Sequence, residues 1–342
     1  ELIRQESEEA KTAGPKNVEA SLAVEIAAEL GEGSIWDRRC KKLLWVDIYR
    51  SRLFRFEPKS KKNEEYDLSQ HSVNVTSVVP LSEDVDADGD AVGLTLREGF
   101  AVYNFKTQAL TRLGGDPGVG QFERFNDGKV DPKGRYWAGT ITRDEHFAPC
   151  RGAKLYRRDL DGSVVPVLTD LSISNGLVWT SDAKIMYYID TPTGQVDVLS
   201  YDADTGEVTN RQPCITGFDF EKTGFPDGCT LDKDGMLWVA RFNGGCAGRY
   251  DPMTGNLLAE VRVPAAAGKQ VTSVAFGGDS LEDLYLTTAR EGFDDEQKKA
   301  QPLAGSLFVV PKASLQQLGA VEGQPQHHLR WSPGAENWCT VQ

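Results

Sequence analysis

The sequence predicts an all-β fold, namely a six-bladed β-propeller with four-stranded antiparallel blades around a central channel. Three observations support this prediction. Similar segments recur six times along the chain, at intervals of 44 to 52 residues. Strand-like runs rich in aromatic residues alternate with turns that contain Gly, Asn or Asp. No long helical periodicity separates these runs, which disfavours an α/β fold.

The repeated unit begins with a short apolar strand, passes through a polar turn and continues in an aromatic-rich strand. It is clear in GEGSIWDRRCKKLLWVDI, NDGKVDPKGRYWAGTI and NGLVWTSDAKIMYYID, which start at Gly31, Asn126 and Asn175. One equivalent residue marks each of the six copies: Glu32, Thr76, Asn126, Asn175, Asp227 and Thr272. A four-stranded propeller blade needs about 40 to 50 residues, so six such markers indicate six blades.

A propeller also needs a way to close its ring of blades. We expect the strand-like segment Ser21 to Ile26 to join the last blade and so remove an exposed sheet edge. The other strands of that blade are expected to include Gly305 to Val310 and a run near Gln326 to Trp331. Residues 21–342 are therefore predicted to form a single propeller domain. Residues 1–20 are predicted to be an N-terminal extension that is poorly packed or helical.

Composition excludes several classes of function. The net charge is −13, with 51 acidic and 38 basic residues and no long basic run, which argues against nucleic-acid binding. No apolar run approaches the ~18 residues of a membrane span, and the N-terminus has no apolar signal-peptide region. The six cysteines show no zinc-binding spacing, which favours free thiols, with a disulfide as the alternative. We expect a cytoplasmic monomer or weak homodimer that binds a small molecule.

Equivalent positions of all blades face one channel, so the six markers should lie close together. Three of them, Glu32, Asn175 and Asp227, carry oxygen ligands for a metal. Such ligands suit Ca²⁺, Mg²⁺ or Mn²⁺, and Zn²⁺ also accepts carboxylates. The sequence thus predicts one divalent metal ion, Ca, Zn, Mn or Mg, with Asn126 as a fourth candidate residue. The alternative is that Asn and Asp before Gly only form turns, although Glu32 is a poor turn residue.

Several of these motifs closely resemble the SMP-30/gluconolactonase/regucalcin family. The similarity is carried by RFNDGKVDPKGRYWAGT (124–140), ISNGL (173–177) and FPDG (225–228), and it extends from about Leu22 to Val310. The resemblance implies a six-bladed propeller that hydrolyses sugar lactones with a divalent metal. It implies that Glu32, Asn175 and Asp227 are metal ligands and that Asp227 is also the general base. Arg124 and Asn126 match residues that contact the substrate or complete the metal site.

The sequence departs from the family pattern at one position. Close relatives often have an acidic substrate-binding residue three places after the threonine of the AGT motif. Here Thr140 is followed at that distance by Arg143, and Asp144 is adjacent. Arg143 and Asp144 are therefore further candidates for substrate binding, and Arg143 could favour an anionic substrate.

The resulting hypothesis is a metal-dependent, gluconolactonase-like lactonase. A metal-activated water attacks the lactone carbonyl, Asp227 accepts the proton of that water, and Arg124 holds substrate oxygens. Two alternatives remain open at this point. The same site could hydrolyse an aryl ester or an organophosphate, or the protein could be a non-enzymatic Ca²⁺-binding regulatory propeller.

Overall fold

Six β-sheets make up the fold, and each begins at one of the repeated segments with four antiparallel strands. The computed structural model describes residues 14–115, 117–146, 148–319 and 322–331. This part of the chain contains 25 strands, numbered in chain order. Two short α-helices, α1 (Asp295–Ala300) and α2 (Lys312–Gln317), lie outside the sheets. No helix among the described residues has the length and apolar character that crossing a bilayer requires.

Each sheet is one propeller blade, and its strands run in order from the channel outward. Blade one consists of β3 (Gly31–Asp37), β4 (Lys42–Asp47), β5 (Arg52–Glu57) and β6 (Lys62–Asp67). Blade two consists of β7 (Val75–Pro80), β8 (Ala91–Leu96), β9 (Phe100–Asn104) and β10 (Leu110–Arg112). Blade three consists of β11 (Glu123–Val130), β12 (Tyr136–Thr142), β13 (Ala153–Arg158) and β14 (Val164–Leu171). Blade four consists of β15 (Ser174–Trp179), β16 (Ile185–Asp190), β17 (Gln195–Tyr201) and β18 (Val208–Thr216). Blade five consists of β19 (Phe225–Leu231), β20 (Leu237–Phe242), β21 (Cys246–Tyr250), β22 (Leu257–Arg262) and β1 (Lys16–Glu19). Blade six consists of β23 (Val271–Gly277), β24 (Asp283–Thr288), β25 (Leu307–Val310) and β2 (Ser21–Val24).

The inner strands of the blades form a closed ring around the channel. Each inner strand packs against the inner strand of the next blade, and β23 of blade six packs against β3 of blade one. The ring is completed by β2, which pairs antiparallel with β25 so that Leu22 lies opposite Phe308. The predicted six-bladed propeller is therefore confirmed, and so is the expectation that the segment starting at Ser21 joins the last blade.

Every inner strand contains a β-bulge at its marker residue. The pairing with the second strand shifts register between Glu32 and Ile35, Val75 and Ser77, Phe125 and Gly128, Ser174 and Leu177, Pro226 and Cys229, and Val271 and Val274. A bulge increases the local twist and changes the direction of side chains. The Asn-Gly and Asp-Gly pairs lie within strands β15 and β19, so the alternative reading of them as turn residues is wrong.

The N-terminal segment differs from the sequence prediction where the structure describes it. Residues 1–13 lie outside the described part of the chain. Lys16–Glu19 is not helical, because it forms β1, which pairs in parallel with β22 at the outer edge of blade five, although most of its side chains are exposed. The backbone NH of Ala20 continues this pairing by donating to the carbonyl oxygen of Arg262 (2.8 Å). Edge strand β22 thus has its outward-facing backbone groups satisfied.

The expectation that a run near Gln326 to Trp331 joins blade six is wrong. Instead, residues 322–331 lie across the end of the channel where the inner strands end. The segment hydrogen-bonds the turn after β23 through Gly323 and Leu281 (2.8 Å), and blade two through Leu329 and Pro80 (2.9 Å). The buried Gln324 side chain donates to the carbonyl oxygen of Trp179 at the end of β15 (2.8 Å). The inner-strand ends expose backbone groups there, and this segment satisfies several of them.

Large aromatic residues of the second strands fill the space between blades. Trp45, Trp137, Trp238 and Tyr285 are all almost completely buried. A buried indole NH needs a hydrogen-bond acceptor, and an aspartate at the preceding hairpin provides one in two blades. The indole of Trp137 donates to Asp131 (2.8 Å), and that of Trp238 donates to Asp232 (3.1 Å). In these two blades the turn therefore links the hairpin to the core beside it.

Five of the six cysteines, Cys40, Cys150, Cys214, Cys229 and Cys246, lie in the described part of the chain, where none is paired in a disulfide. Cys339 lies outside the described residues.

Asp232→Ala should destabilise the protein strongly. The substitution removes the acceptor of the Trp238 indole and of the buried Arg249 guanidinium, whose Nε donates to Asp232 (2.7 Å). Removing one partner of a buried ion pair costs about 3–5 kcal/mol. Asp234→Ala is the matched control, because Asp234 pairs with the same arginine but is 53% exposed; its cost should be about 0–1 kcal/mol. Urea denaturation measures both, and equal costs would contradict the account.

Candidate metal and substrate site at the channel mouth

The bulged ends of four inner strands bring the predicted site residues to one end of the channel. Glu32, Asn126, Asn175 and Asp227 are between 5% and 6% exposed, so all four side chains are buried. Glycines permit the close approach of these strands. A Cβ atom on Gly176 would lie 2.6 Å from the carbonyl oxygen of Asp227. The site is therefore formed by backbone that only glycine can bring so near.

A chain of hydrogen bonds connects blades three, four and five at this point. Arg124 donates through Nη1 to Asn126 Oδ1 (2.7 Å), and Asn126 Nδ2 donates to Asn175 Oδ1 (2.7 Å). Asn175 Nδ2 in turn donates to the hydroxyl of Thr191 (2.7 Å), which donates to the carbonyl oxygen of Pro226 (2.8 Å). These bonds fix both amide groups, so that the Asn175 carbonyl oxygen has a defined orientation. That oxygen keeps a second lone pair for another partner.

Three buried carboxyl groups lie close enough to affect one another. Burial and the neighbouring Asp127 raise the pKa of Glu32 to about 8. Burial, Glu32, Asp127 and Glu291 raise the pKa of Asp227 well above its usual range, while Arg124 opposes this rise. The pKa of Asp127 is also raised by burial, against the opposing effect of Lys129. The protein alone thus supplies too little positive charge to balance this group of acids.

The residues present fit a bound divalent cation. Asp227 Oδ1 is buried and accepts no hydrogen bond from any described residue, a costly arrangement unless another partner satisfies the oxygen. Glu32, Asn175 and Asp227 offer oxygen ligands of the kind that Ca²⁺, Mg²⁺ and Mn²⁺ prefer. Within the described ranges, no three His, Cys, Asp or Glu side chains converge as a metal-binding group. The predicted ligands Glu32, Asn175 and Asp227 are not such a group, because they combine two carboxylates with an amide.

The channel narrows below the carboxyl groups into a small cavity, about the size of one water molecule. Asp127 and Lys129, on β11, line this cavity together with Cys229 of β19. The buried Lys129 ammonium group donates to the carbonyl oxygen of Cys229 and so bridges blades three and five. A positive charge is thereby fixed in the channel below the acidic mouth.

Arg143 and Asp144 occupy different positions, although they are neighbours in the chain. Arg143 points toward the mouth, where its Nη2 is 3.5 Å from the Tyr49 hydroxyl and 4.0 Å from Glu291 Oε1. Asp144 instead accepts hydrogen bonds within its own loop, from the backbone NH groups of His146 (2.8 Å) and Ala148 (2.9 Å). The geometry therefore places Arg143 beside the site, whereas the described contacts of Asp144 lie within its own loop. Substrate binding by either residue stays a prediction.

Four residues near the site were not found from the sequence: Tyr49, Asp127, Lys129 and Glu291. Tyr49 and Glu291 follow the second strands of blades one and six. The loop after a second strand returns to the end of the blade where the inner strand begins, so its position in the repeat is a usable signal. For Asp127 and Lys129 the signal is weaker, because a bulge disrupts the alternation of inward and outward side chains.

Most of the propeller matches a known sequence family. Residues 30–290 match the family model described as the SMP-30/gluconolactonase/LRE-like region. The chain is 38% identical to the Bacillus subtilis protein named "putative sugar lactone lactonase YvrE" over 291 residues, which cover 85% of this chain and 94% of that protein. It is 36% identical to regucalcin of Danio rerio over 297 residues, which cover 86% and 94% of the two chains.

Solved structures show the same architecture. A luciferin-regenerating enzyme superimposes with a TM-score of 0.77 at 28% identity, over 91% of this chain and 99% of that chain. The calcium-binding protein regucalcin from Agrobacterium tumefaciens superimposes with a TM-score of 0.80 at 25% identity, over 93% and 99% of the two chains. The similarity in sequence and structure thus extends across nearly the whole propeller.

Asp227→Asn should stabilise the metal-free protein by about 1–2 kcal/mol. The substitution removes one of the mutually repelling buried carboxylates. Because burial and the neighbouring acids raise the pKa of Asp227 in the folded protein, the stability that goes with its protonated form is present below the ordinary pKa of 3.8 and is lost as pH rises above it. The gain should therefore be larger at pH 8 than at pH 5.

Thermal unfolding in chelator at the two pH values measures this effect. Asp204→Asn is the control, because the Asp204 side chain is 87% exposed and pairs with Lys133 at the surface. A metal-free Asp227→Asn protein that is less stable than the wild type at pH 8 would show that repulsion does not dominate the site.

Proposed function

The chain belongs to the SMP-30/gluconolactonase/LRE-like family, and from this premise we propose that it is a divalent-metal-dependent hydrolase that opens sugar lactones. The observation that carries the proposal is the buried Asp227. Its Oδ1 atom has no hydrogen-bond donor among the described residues, and it lies beside Glu32 at the mouth of the channel. The name of the Bacillus subtilis relative supports the choice of a lactone as substrate.

Glu32, Asn175 and Asp227 are the residues that would hold the metal. When bound, a divalent cation supplies a Lewis acid that polarises the lactone carbonyl and stabilises negative charge on its oxygen. The three side chains come from blades one, four and five, so each is fixed by a different sheet. Asn126 keeps Asn175 in place through the 2.7 Å hydrogen bond between their amide groups. Such rigid placement is what an electrostatic site needs, because it requires no reorganisation during the reaction.

Asp227 is proposed to accept the proton of the attacking water. Hydrolysis forms a bond between the water oxygen and the carbonyl carbon, and breaks the bond from that carbon to the ring oxygen. The proton taken by Asp227 can then be returned to the ring oxygen, which leaves as a hydroxyl group of the hydroxy acid. A general base works best when its pKa lies near the working pH. Burial beside Glu32 and Asp127 moves the pKa of Asp227 upward in this direction.

Arg124 and Asn126 are proposed to position the substrate. Arg124 uses Nη1 for its hydrogen bonds to Asn126 Oδ1 and to the carbonyl oxygen of Phe125 (2.9 Å). Its Nε and Nη2 have no acceptor among the described residues, so a substrate oxygen can accept from them. The guanidinium carbon also lies 5.6 Å from the ring centre of Tyr49, which limits its movement. The planar fork of arginine suits this role because it presents several donors in one plane.

The relative that is described as a calcium-binding protein favours a second candidate function, Ca²⁺ binding without catalysis. The two functions differ in what they require of Arg124. A binding protein needs the oxygen ligands alone, whereas a hydrolase also needs donors directed at a substrate. The presence of such donors beside the oxygen ligands supports the enzyme.

Metal removal and return should control hydrolysis of glucono-1,5-lactone. Protein treated with chelator should lose activity, and Ca²⁺, Mg²⁺, Mn²⁺ or Zn²⁺ added singly should restore it to different degrees. Asp227→Ala should lower kcat/KM by about 10³-fold or more, because both a base and a ligand oxygen are lost. Lactone opening releases acid, so a pH-indicator assay corrected for spontaneous hydrolysis measures the rate.

Asp204→Ala serves as the control in this assay, since its exposed carboxylate lies in the β17–β18 hairpin and should leave kcat/KM unchanged. Aryl esters and an organophosphate are assayed in parallel. Activity only on those substrates would replace the lactone by another ester. Metal binding to folded protein with no turnover of any substrate would instead favour the binding function, and near wild-type activity of Asp227→Ala would exclude Asp227 as the base.

A further inference from the structure

Three polar side chains form a rim beside the proposed site. Tyr49, Arg143 and Glu291 follow the second strands β4, β12 and β24 of blades one, three and six. Because these loops return to the mouth of the channel, the three residues meet although they are far apart in sequence. Their side chains are between 28% and 38% exposed, so they are accessible to a ligand but not fully solvated.

The three side chains are joined through one oxygen atom. The Tyr49 hydroxyl donates to Glu291 Oε1 (2.5 Å), and Arg143 Nη2 lies 4.0 Å from the same oxygen and 3.5 Å from the Tyr49 hydroxyl. Glu291 Oε2 accepts no hydrogen bond from any described residue. One oxygen of the carboxylate is thus held by the protein, and the other can accept hydrogen bonds from a ligand.

The backbone around Glu291 is also fixed. Its carbonyl oxygen accepts a hydrogen bond from Gln270 Nε2 (2.9 Å), and Gln270 is itself buried. The preceding residue, Arg290, is paired with Glu29 (2.8 Å). A carboxylate on such a supported loop loses little conformational entropy when it binds a ligand.

Glu291 acts electrostatically on the proposed catalytic residues. Its charge is one of the influences that raise the pKa of Glu32 and of Asp227. The tyrosine of the rim also lies under Arg124, at 5.6 Å from the guanidinium carbon to the ring centre. The rim is therefore continuous with the site and is not a separate surface cluster.

We propose that Glu291, positioned by Tyr49 and Arg143, binds the hydroxyl groups of the substrate and selects neutral polyhydroxylated lactones over anionic ones. This inference rests on the proposed function and deepens it. A carboxylate oxygen accepts hydrogen bonds from sugar hydroxyls and repels a negative charge on the substrate. Arg143 and Tyr49 are positioning residues, because they act through Glu291.

Substrate selectivity of Glu291→Gln tests the proposal. The variant should lower kcat/KM for glucono-1,5-lactone by about 10- to 100-fold, mainly through KM, because hydrogen bonds to a charged group are lost. Hydrolysis of δ-valerolactone, which has no hydroxyl groups, should change by less than about 3-fold. The preference for glucono-1,5-lactone over its 6-phosphate ester should decrease. Tyr49→Phe should shift the same ratios in the same direction by a smaller factor.

Glu98→Gln is the matched control. Glu98 also follows a second strand, β8, is half-exposed and pairs with Arg97 and Arg112, but it is not among the largest influences on the pKa of Glu32 or Asp227. Its selectivity should equal that of the wild type. Equal losses on both neutral lactones in Glu291→Gln, or no loss, would overturn the proposal while leaving lactone hydrolysis intact.

A wild type that hydrolyses no lactone would contradict the proposed function. A binding measurement would then test whether the rim recognises a polyol. Isothermal titration of wild type and Glu291→Gln with sorbitol provides it. Binding by the wild type that weakens about 10-fold in the variant would support polyol recognition by Glu291. Equal binding by both proteins, or no binding by the wild type, would overturn it. Circular dichroism melting curves of each variant confirm that the comparison is between folded proteins.

Discussion

The close approach of six bulged inner strands is the constraint on which the rest of the structure depends. Each strand begins at the channel mouth, and the bulge near its start turns a side chain such as Glu32 or Asp227 toward the neighbouring blades. Glycine at 176 and 228 lets adjacent backbones lie at distances that a Cβ atom would prevent. Because four different sheets contribute side chains, their relative positions are fixed by the packing of the whole ring rather than by any one loop.

The consequence of that packing is a buried group of acids with incomplete compensation. Asp227, Glu32 and Asp127 raise the pKa values of one another or share the same buried surroundings. The charges of Arg124 and Lys129, and the backbone NH groups of Gly33 and Gly128, act against this rise. A protein fold rarely retains such an arrangement without a function, since it reduces stability. A divalent cation would offset the charge, and the polar side chains around it would then act on a substrate. The rim of Tyr49, Arg143 and Glu291 lies beside these acids. We propose that the charge of the buried acids holds a metal, whereas the charge of the rim distinguishes substrates.

The sequence predicted the number of blades, the closure through Ser21 and the convergence of residues 32, 126, 175 and 227, because a repeat places equivalent residues at equivalent points. It did not predict interactions that the repeat does not contain. Tyr49, Arg143 and Glu291 each follow the second strand of a blade, which places them at one end of the channel, but the repeat does not show which of these side chains meet. The run near Gln326 to Trp331 was expected in blade six, but it has few residues with strand character. The segment 322–331 instead hydrogen-bonds backbone groups that are exposed where inner strands end. The strand at residues 16–19 was missed because its mixed polar sequence pairs through its backbone.

Anomalous diffraction from crystals grown with Mn²⁺ tests the central claim most directly, because it locates the metal without reference to activity. We expect one strong peak within coordination distance of Glu32, Asp227 Oδ1 and the Asn175 amide oxygen, and the loss of that peak in Asp227→Ala. A structure that holds the ion elsewhere, or holds none at saturating Mn²⁺ while Asp227 Oδ1 bonds to a protein group, would contradict it.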